Sequence, residues 1–332
     1  MEQAIRDRYN DAIFQEVASR YGLEAEQLSD LGGFESFIYT FERDGKPYVL
    51  RISHSRRRSE ALIRGEVDWI NYLATHGTSV ARAVVSPRGN LVEVVADRQG
   101  GFFLATAFIY APGASFPWNR WLEPDFCRAY GRLLGRMHRL AATYTLSDAG
   151  AKRPLWDEPE NNVQLAKVLP PSNAHILAKS DALIAHFATL PAGPANFGMI
   201  HQDAHGGNFF VDENGIITLF DFDDCCYMWY ANDIAMVMLY ASMGRGDEVA
   251  FVQQFMPQFM VGYREEWEIN GRFLAEIPHF MKLREIDLFA IITRDFTPDQ
   301  IVNDGWLNNF MTGRREKIEQ DVPYLDIDFT QF

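Results

Sequence analysis

The stretch His201-Gln202-Asp203-Ala204-His205-Gly206-Gly207-Asn208, followed downstream by Asp221-Phe222-Asp223-Asp224, decides how this chain is read. Between the two, Phe209-Phe210-Val211 and Ile216-Ile217-Thr218-Leu219-Phe220 flank Asp212-Glu213-Asn214-Gly215. Two short apolar runs around an Asn-Gly turn predict a β-hairpin. A polar loop enters it and an acidic cluster leaves it. Because a hairpin brings its outer ends together, Asn208 and Asp221 are expected to be neighbours.

Two carboxylates and an amide oxygen are hard ligands that suit Mg2+. Asp203, five residues before Asn208, can hold a hydroxyl instead of a metal. The pattern His201-x-Asp203-x-x-x-x-Asn208, with a later Asp, is the layout of phosphoryl transfer. There an Asp takes the acceptor proton while an Asn and a second Asp hold Mg2+. The competing reading is a polar loop whose carboxylates serve solubility; spacing, hairpin and residue order together favour the chemical one.

The segment from His201 to Asp224 resembles the aminoglycoside phosphotransferase and choline kinase-like family of small-molecule kinases. The family loop is close to H-G-D-L-H-x-G-N. His201, Asp203, His205, Gly207 and Asn208 match it, and Gln202 replaces the usual Gly. The Asp-Phe-Asp-Asp cluster resembles the bacterial branch that includes homoserine kinase-like and stress-response kinases. The resemblance implies an α+β, protein kinase-like two-lobe fold. Residues 1–108 would form a small antiparallel-sheet N-lobe with one key helix, and residues 109–332 a mainly helical C-lobe with the acceptor pocket.

It also implies roles. MgATP would bind between the lobes, with Gly33 and Ser36 over the phosphates and Arg51 gripping them. Arg51 stands where the third strand of the family usually supplies Lys. The backbone around Ala107–Ile109 would meet the adenine edge. Asn208 and Asp221 would hold Mg2+, and Asp203 would orient and deprotonate an acceptor hydroxyl. His201 would support the loop. Asp223 and Asp224 would either assist the metal or attract a cationic substrate.

The N-terminal residues bear on this directly. Ile5, Tyr9, Ile13, Phe14 and Val17 recur at helical spacing, so residues 1–20 read as one amphipathic helix. Gly32-Gly33 precede a strand, Asp44-Gly45 a turn, and Tyr48-Val49-Leu50-Arg51-Ile52 a returning strand. Residues 59–76 form a helix in which Glu66 shares the apolar stripe of Leu62, Trp69 and Leu73. A carboxylate there is costly unless paired, and Arg51 is assigned as its partner. Arg56-Arg57-Arg58 reads by default as a solvated basic run. Val80–Val85, Leu91–Val95 and Gly101–Tyr110 read as strands.

From Pro124 the apolar spacing is helical. His138 reads as a hydrogen-bonded structural histidine. Residues 147–173 look like an insertion, 175–190 a helix, and Asp233 a structural acid opening the next helix. Residues 247–318 are expected to form three helices, with Glu265, Glu266 and Glu268 as a solvated face.

The chain has 332 residues, with 31 Lys plus Arg against 45 Asp plus Glu, a net charge of −14. That argues against nucleic-acid binding and weakly favours a cationic acceptor. Three cysteines, two of them adjacent, make no disulfide framework. Neither a signal peptide nor a run of the ~18–20 apolar residues that span a bilayer is present. A cytoplasmic enzyme using ATP and Mg2+ on a small-molecule hydroxyl acceptor, bound to no membrane, is the leading expectation. A nucleotide-binding regulator without turnover, suggested by Arg51 and Gln202, and a stress-response-type protein Ser/Thr kinase remain as alternatives. The oligomeric state is not encoded legibly.

Overall fold

The computed structural model describes residues 1–161 and 165–332; residues 162–164, inside the expected insertion over 147–173, lie outside the described residues. The chain divides into two compact units. One takes residues 1–113, 145–153 and 218–223, and the other takes 114–144, 154–217 and 224–332.

The first unit contains α1 (Gln3–Arg6), α2 (Asp11–Arg20), β1 (Ser29–Asp30), β2 (Phe37–Arg43), β3 (Lys46–His54), α3 (Glu60–Thr75), β4 (Ala83–Val84), β5 (Glu93–Ala96) and β6 (Phe102–Ile109). Its antiparallel sheet runs β1-β2-β3-β6-β4, with β5 also on β6. The one helix expected over 1–20 is two. Asn10 takes an extended conformation, and its side chain accepts from the N–H groups of Ala12 and Ile13, so α2 starts afresh there. Val17, Ala18 and Tyr21 pack with Phe41, Leu50, Ile52 and Phe103 in one core. Each fully buried side chain of Val or Leu size stabilises by ~1.5–3 kcal/mol, so this face fixes β3 and β6, the strands nearest the expected chemistry. Ser59 caps α3, whose buried side includes Leu62, Glu66, Trp69 and Leu73.

From Pro124 the chain is mainly helical: α4 (Pro124–Ala141), α5 (Leu165–Val168), α6 (Ala174–Phe187), β7 (Phe197–Ile200), β8 (Phe209–Val211), β9 (Ile217–Leu219), β10 (Cys226–Trp229), α7 (Tyr230–Ser242), α8 (Glu248–Arg264), α9 (Gly271–Leu274), α10 (Ile277–Asp295), α11 (Pro298–Asn303), α12 (Gly305–Met311) and α13 (Arg314–Glu319). β8 with β9 forms the expected hairpin, and β7 pairs with β10. Among the described residues, 247–318 hold six helices rather than three. Local capping splits them: Asn270 starts α9, Thr297 starts α11 with Pro298 behind it, and Asp304 starts α12.

The acidic run after α8 is not merely solvated. Glu265 meets Arg132 at 2.5 Å, and the half-buried Glu266 meets Arg136 at 2.5 Å and Arg139 at 2.9 Å, tying α8 to α4. Glu265 and Glu268 keep the expected exposure. Cys127, Cys225 and Cys226 are all buried. No helix among the described residues is long and apolar enough to cross a membrane.

Candidate active site

In the first unit the site is built on β3 and α3. Arg51 and Glu66 are both buried, and the guanidinium grips both carboxylate oxygens, at 2.7 and 2.6 Å. Burial works against the Arg51 charge. Glu66, then Asp223 and Asp221, outweigh it and hold the guanidinium protonated well above its ordinary range. Such a forked pair fixes the orientation of Arg51 as a Lys could not.

Gly33 is required where it stands: a Cβ there would lie 2.0 Å from the Ser36 carbonyl oxygen. The Ser36 hydroxyl shares a 2.8 Å hydrogen bond with that of Ser53. The loop therefore has its backbone, not this hydroxyl, to offer to phosphate.

The basic run departs from its expected reading. Only Arg56 is exposed. Arg57 and Arg58 are partly buried and close on Asp223, at 2.5 and 3.2 Å, with Arg51 at 3.8 Å. Arg153 donates to the Asp223 carbonyl at 2.6 Å and to that of Leu62 at 3.0 Å. Burial alone would raise the Asp223 carboxyl, but Arg57, Arg58, Arg51 and Arg153 hold it far below the usual range. A carboxylate so ringed by guanidiniums does not attract a cationic substrate; it neutralises the arginines. Asp221, two residues earlier, takes a left-handed conformation with φ 62°.

The backbone at the expected adenine edge is engaged within the sheet. Ala107 is buried inside the sheet between Leu50 of β3 and Val84 of β4, and the Ile109 N–H already donates to the Arg82 carbonyl at 3.0 Å. Backbone groups used by neighbouring strands cannot also meet a base.

In the second unit, the loop 201–208 hangs on Asp233. Its carboxylate accepts from the N–H groups of His201 at 2.9 Å and Gln202 at 2.8 Å. His138, fully buried, links Asp233 at 3.2 Å to the Tyr263 hydroxyl at 2.8 Å. His201 is buried too, and its Nδ1 accepts from the Asp203 N–H at 3.3 Å. Gln202 has φ 74°, the region that favours the glycine usual here. Its side-chain oxygen accepts from Asn232 at 3.0 Å.

Asp203 lies 2.5 Å from Arg284 of α10 and 3.3 Å from His205. Burial would raise its carboxyl. Arg284, then His205 and His201, overcome that and keep it ionised well below the usual carboxylate range. The Asn208 amide nitrogen donates to the Asp203 carbonyl at 2.9 Å and to its carboxylate at 3.3 Å. The amide oxygen is thereby directed away from Asp203, the orientation a hard cation requires, and Asn208 fits a Mg2+ ligand.

Arg284 escaped the reading of the sequence. It also donates to the Tyr240 hydroxyl at 2.8 Å, and Asp203, Asp224 and Asp287 support its charge against burial. Beside the loop opens a cavity of about 740 Å3, lined by Trp118, Trp121, His205, Tyr240, Trp306 and Asn309. Gly206 admits Trp121 to this wall, since a Cβ there would lie 2.5 Å from the indole.

A small antiparallel sheet with its forked strand–helix ion pair, a helical unit, and an Asp–Asn loop opening a hairpin define a phosphotransferase of protein kinase-like, α+β two-lobe fold. The sequence profile of the phosphotransferase enzyme family matches residues 27–273, and the chain belongs to that family. An amicoumacin kinase of Bacillus subtilis (strain 168) is 36% identical over 326 residues, 97% of this chain and 96% of the relative. The structure of an amicoumacin kinase in complex with AMP-PNP, Ca2+ and Ami superposes with a TM-score of 0.92 at 33% identity, covering 100% of this chain and 99% of the other. A microcompartment-associated aminopropanol kinase, 21% identical, shares the fold with a TM-score of 0.74 over 94% of this chain and 97% of its own. The chain is accordingly a kinase, using ATP and a divalent metal such as Mg2+ to phosphorylate a hydroxyl of a small molecule.

Proposed function

We propose that the acceptor is an amicoumacin-like molecule, carrying a hydroxyl, a flat apolar part and a cationic group. The observation that carries this is the cavity beside His205, walled by Trp118, Trp121, Tyr240 and Trp306, in a chain 36% identical over nearly its whole length to an amicoumacin kinase. Aromatic walls hold a flat apolar group at little conformational cost. The net charge of −14 and Asp224, which lies close enough to support the Arg284 charge, favour a cationic group on the same molecule.

In this reading the acceptor hydroxyl rests against Asp203. Its oxygen bonds to the γ-phosphorus as the bond to the bridging oxygen of ADP breaks, and its proton passes to the Asp203 carboxylate. A carboxylate held so far below its usual range is a weak base, which suits a loose transition state in which the proton leaves late. Asp203 then acts largely by orienting the hydroxyl, while Asn208 holds Asp203 by its nitrogen, and the oxygens of Asn208 and Asp221 would suit Mg2+. The metal would offset charge on the transferring group. Arg51, oriented by Glu66, and the backbone of the Gly33–Ser36 loop hold phosphates. His201 keeps the loop in shape, and the adenine edge falls past the paired backbone of β6, from Ala111 on. Buried cysteines outside any disulfide framework and the need for ATP favour a cytoplasmic location.

ATP consumption with Mg2+ is measured against amicoumacin, aminopropanol, homoserine and an aminoglycoside. Amicoumacin is expected to give the highest kcat/KM. The Asp203→Ala variant should lose ~10²–10⁴-fold in turnover while still binding ATP. Preference for homoserine or aminopropanol would sink the acceptor assignment, and wild-type turnover by the variant would sink the role of Asp203.

A further inference from the structure

A second cluster of ligand-type side chains lies on α6 and the start of α10. His175, Lys179, Ala182 and His186 recur along one stripe of α6 and line a cavity of about 770 Å3, with His279 and Lys282 on its other wall. At its edge three atoms converge. Glu276 Oε2 lies 2.7 Å from His186 Nε2 and 2.9 Å from His279 Nδ1, and the two imidazole centres are 4.7 Å apart. Both contacts end on the same carboxylate oxygen. Glu276 is the N-cap residue of α10, yet its side chain caps nothing; it faces the imidazoles instead. His279 is exposed, while His186 and Glu276 are half-buried, so an ion can reach them without opening the core. The nearby ammonium groups are occupied, Lys179 by Asp321 at 3.0 Å and Lys282 by Glu285.

We propose that His186, Glu276 and His279 bind one divalent transition ion, Zn2+ foremost. Two imidazoles and a carboxylate suit the late first-row ions and not Mg2+. Three such ligands with a fourth position open is a familiar zinc arrangement. Ligands ~2.0–2.1 Å from a tetrahedral ion stand ~3.3 Å apart, so the two carboxylate–imidazole contacts have to lengthen by only about half an ångström, and the three ligand atoms already lie within 4.8 Å of one another. The fourth position opens to the cavity, where His175 and Asp321 form part of the wall. A bound ion would tie α6 to α10, the helix that also carries Arg284 about 12 Å further along its axis. Plain hydrogen bonding among the three side chains is the competing account, and it makes stability indifferent to zinc.

Metal-stripped full-length protein is titrated with Co2+ and followed by visible absorption, then with Zn2+. The wild type should gain a strong four-coordinate cobalt band at one equivalent, lost on adding one equivalent of Zn2+, and its thermal midpoint should rise with Zn2+. A Mg2+-type oxygen site gives only the weak six-coordinate cobalt spectrum, so the two sites separate. His186→Ala and His279→Ala should each lose the band and the zinc-dependent shift while keeping zinc-free ATP consumption. Absence of the band in the wild type at micromolar Co2+, or its persistence in the double His variant, overturns the proposal. Should either His variant fail to fold, Glu276→Gln decides: it keeps the shape and a hydrogen-bond acceptor, and a zinc-induced midpoint shift equal to that of the wild type overturns the site.

Discussion

Two arginine–carboxylate pairs, one in each unit, are enclosed to different degrees. The side chains of Arg51 and Glu66 are 7% and 1% exposed, and both carboxylate oxygens are used by the one guanidinium. Arg284 and Asp203 are 15% and 20% exposed. There Arg284 is shared with the Tyr240 hydroxyl, and the second oxygen of Asp203 faces the Asn208 amide. The closed pair has one geometry and no spare acceptor, which suits a positioning device. The open pair leaves a charged oxygen within reach of a further partner, which suits chemistry. Proteins can use the same two residue types for either end, and burial decides which.

Removing one charge from each pair tests that contrast most severely. Glu66→Gln removes the anion that the buried Arg51 guanidinium grips with both nitrogens and should cost about 3–5 kcal/mol of stability, read from the denaturant midpoint. Asp203→Asn should cost clearly less, because solvent reaches that pair. Equal losses would break the comparison.

A smaller effect sharpens it through pH. Arg284 leads the groups that hold the Asp203 carboxyl low, so the carboxylate is ionised throughout the neutral range and activity fades only in acid. In Arg284→Ala the burial that opposes ionisation is left less opposed. The acid limb of the kcat/KM profile should then move up by ~1–3 pH units, while Arg284→Lys should largely restore it. An unmoved limb would mean that this pair does not set the charge of Asp203.

One turn further on α10, Asp287 is pushed by burial up to about 7 from an ordinary 3.8, against the pull of Arg284. A carboxyl raised in the folded state stabilises the protein while protonated, and that contribution is lost as pH rises from about 4 through 7. Asp287→Asn should therefore raise the thermal midpoint relative to wild type at pH 8 and leave it nearly unchanged at pH 4.

How much of this was legible in the sequence follows from distance along the chain. The hairpin is local, and the loop 201–208 declares itself by spacing within eight residues. Glu66 announces a partner because a carboxylate on an apolar stripe needs one, and Arg51 is only 15 residues away. Arg284 reaches Asp203 across 81 residues from a helix with no motif, and Trp306 joins the cavity wall from an equally unmarked place. The fate of Arg57 and Arg58 turned on Asp223, which returns 166 and 165 positions later; a run of charge carries no trace of that. The run Gly101–Tyr110 holds nothing to mark where strand pairing stops. The non-catalytic alternative also loses its motive here. Arg51 makes the strand–helix pair that the position demands, and Gln202 adopts the left-handed backbone for which a glycine is usual.

Gln202 gives the finest test of loop against scaffold. A non-glycine residue in the left-handed region carries a strain of roughly 1–2 kcal/mol, and here φ is 74°. What holds it is the fully buried Asp233, through the Gln202 N–H at 2.8 Å, and Asn232, through the side-chain oxygen at 3.0 Å. Gln202→Gly relieves the strain but gives up the amide contact and gains freedom in the unfolded chain. These terms oppose one another, so net stability should stay within about 1 kcal/mol of wild type, and turnover should persist, because the Asp233 contact to the backbone is untouched. Gln202→Val is the contrasting variant: a β-branched residue fits the left-handed region poorly, and the loop carrying Asp203 should be displaced, with turnover falling more than stability. Asn232→Ala then completes the cycle. It should destabilise the wild type and have a smaller effect beside Gln202→Gly, where no amide is left to support. An undiminished effect would mean that Asn232 serves the loop by some contact other than Gln202, and that Asp233 alone holds the left-handed turn.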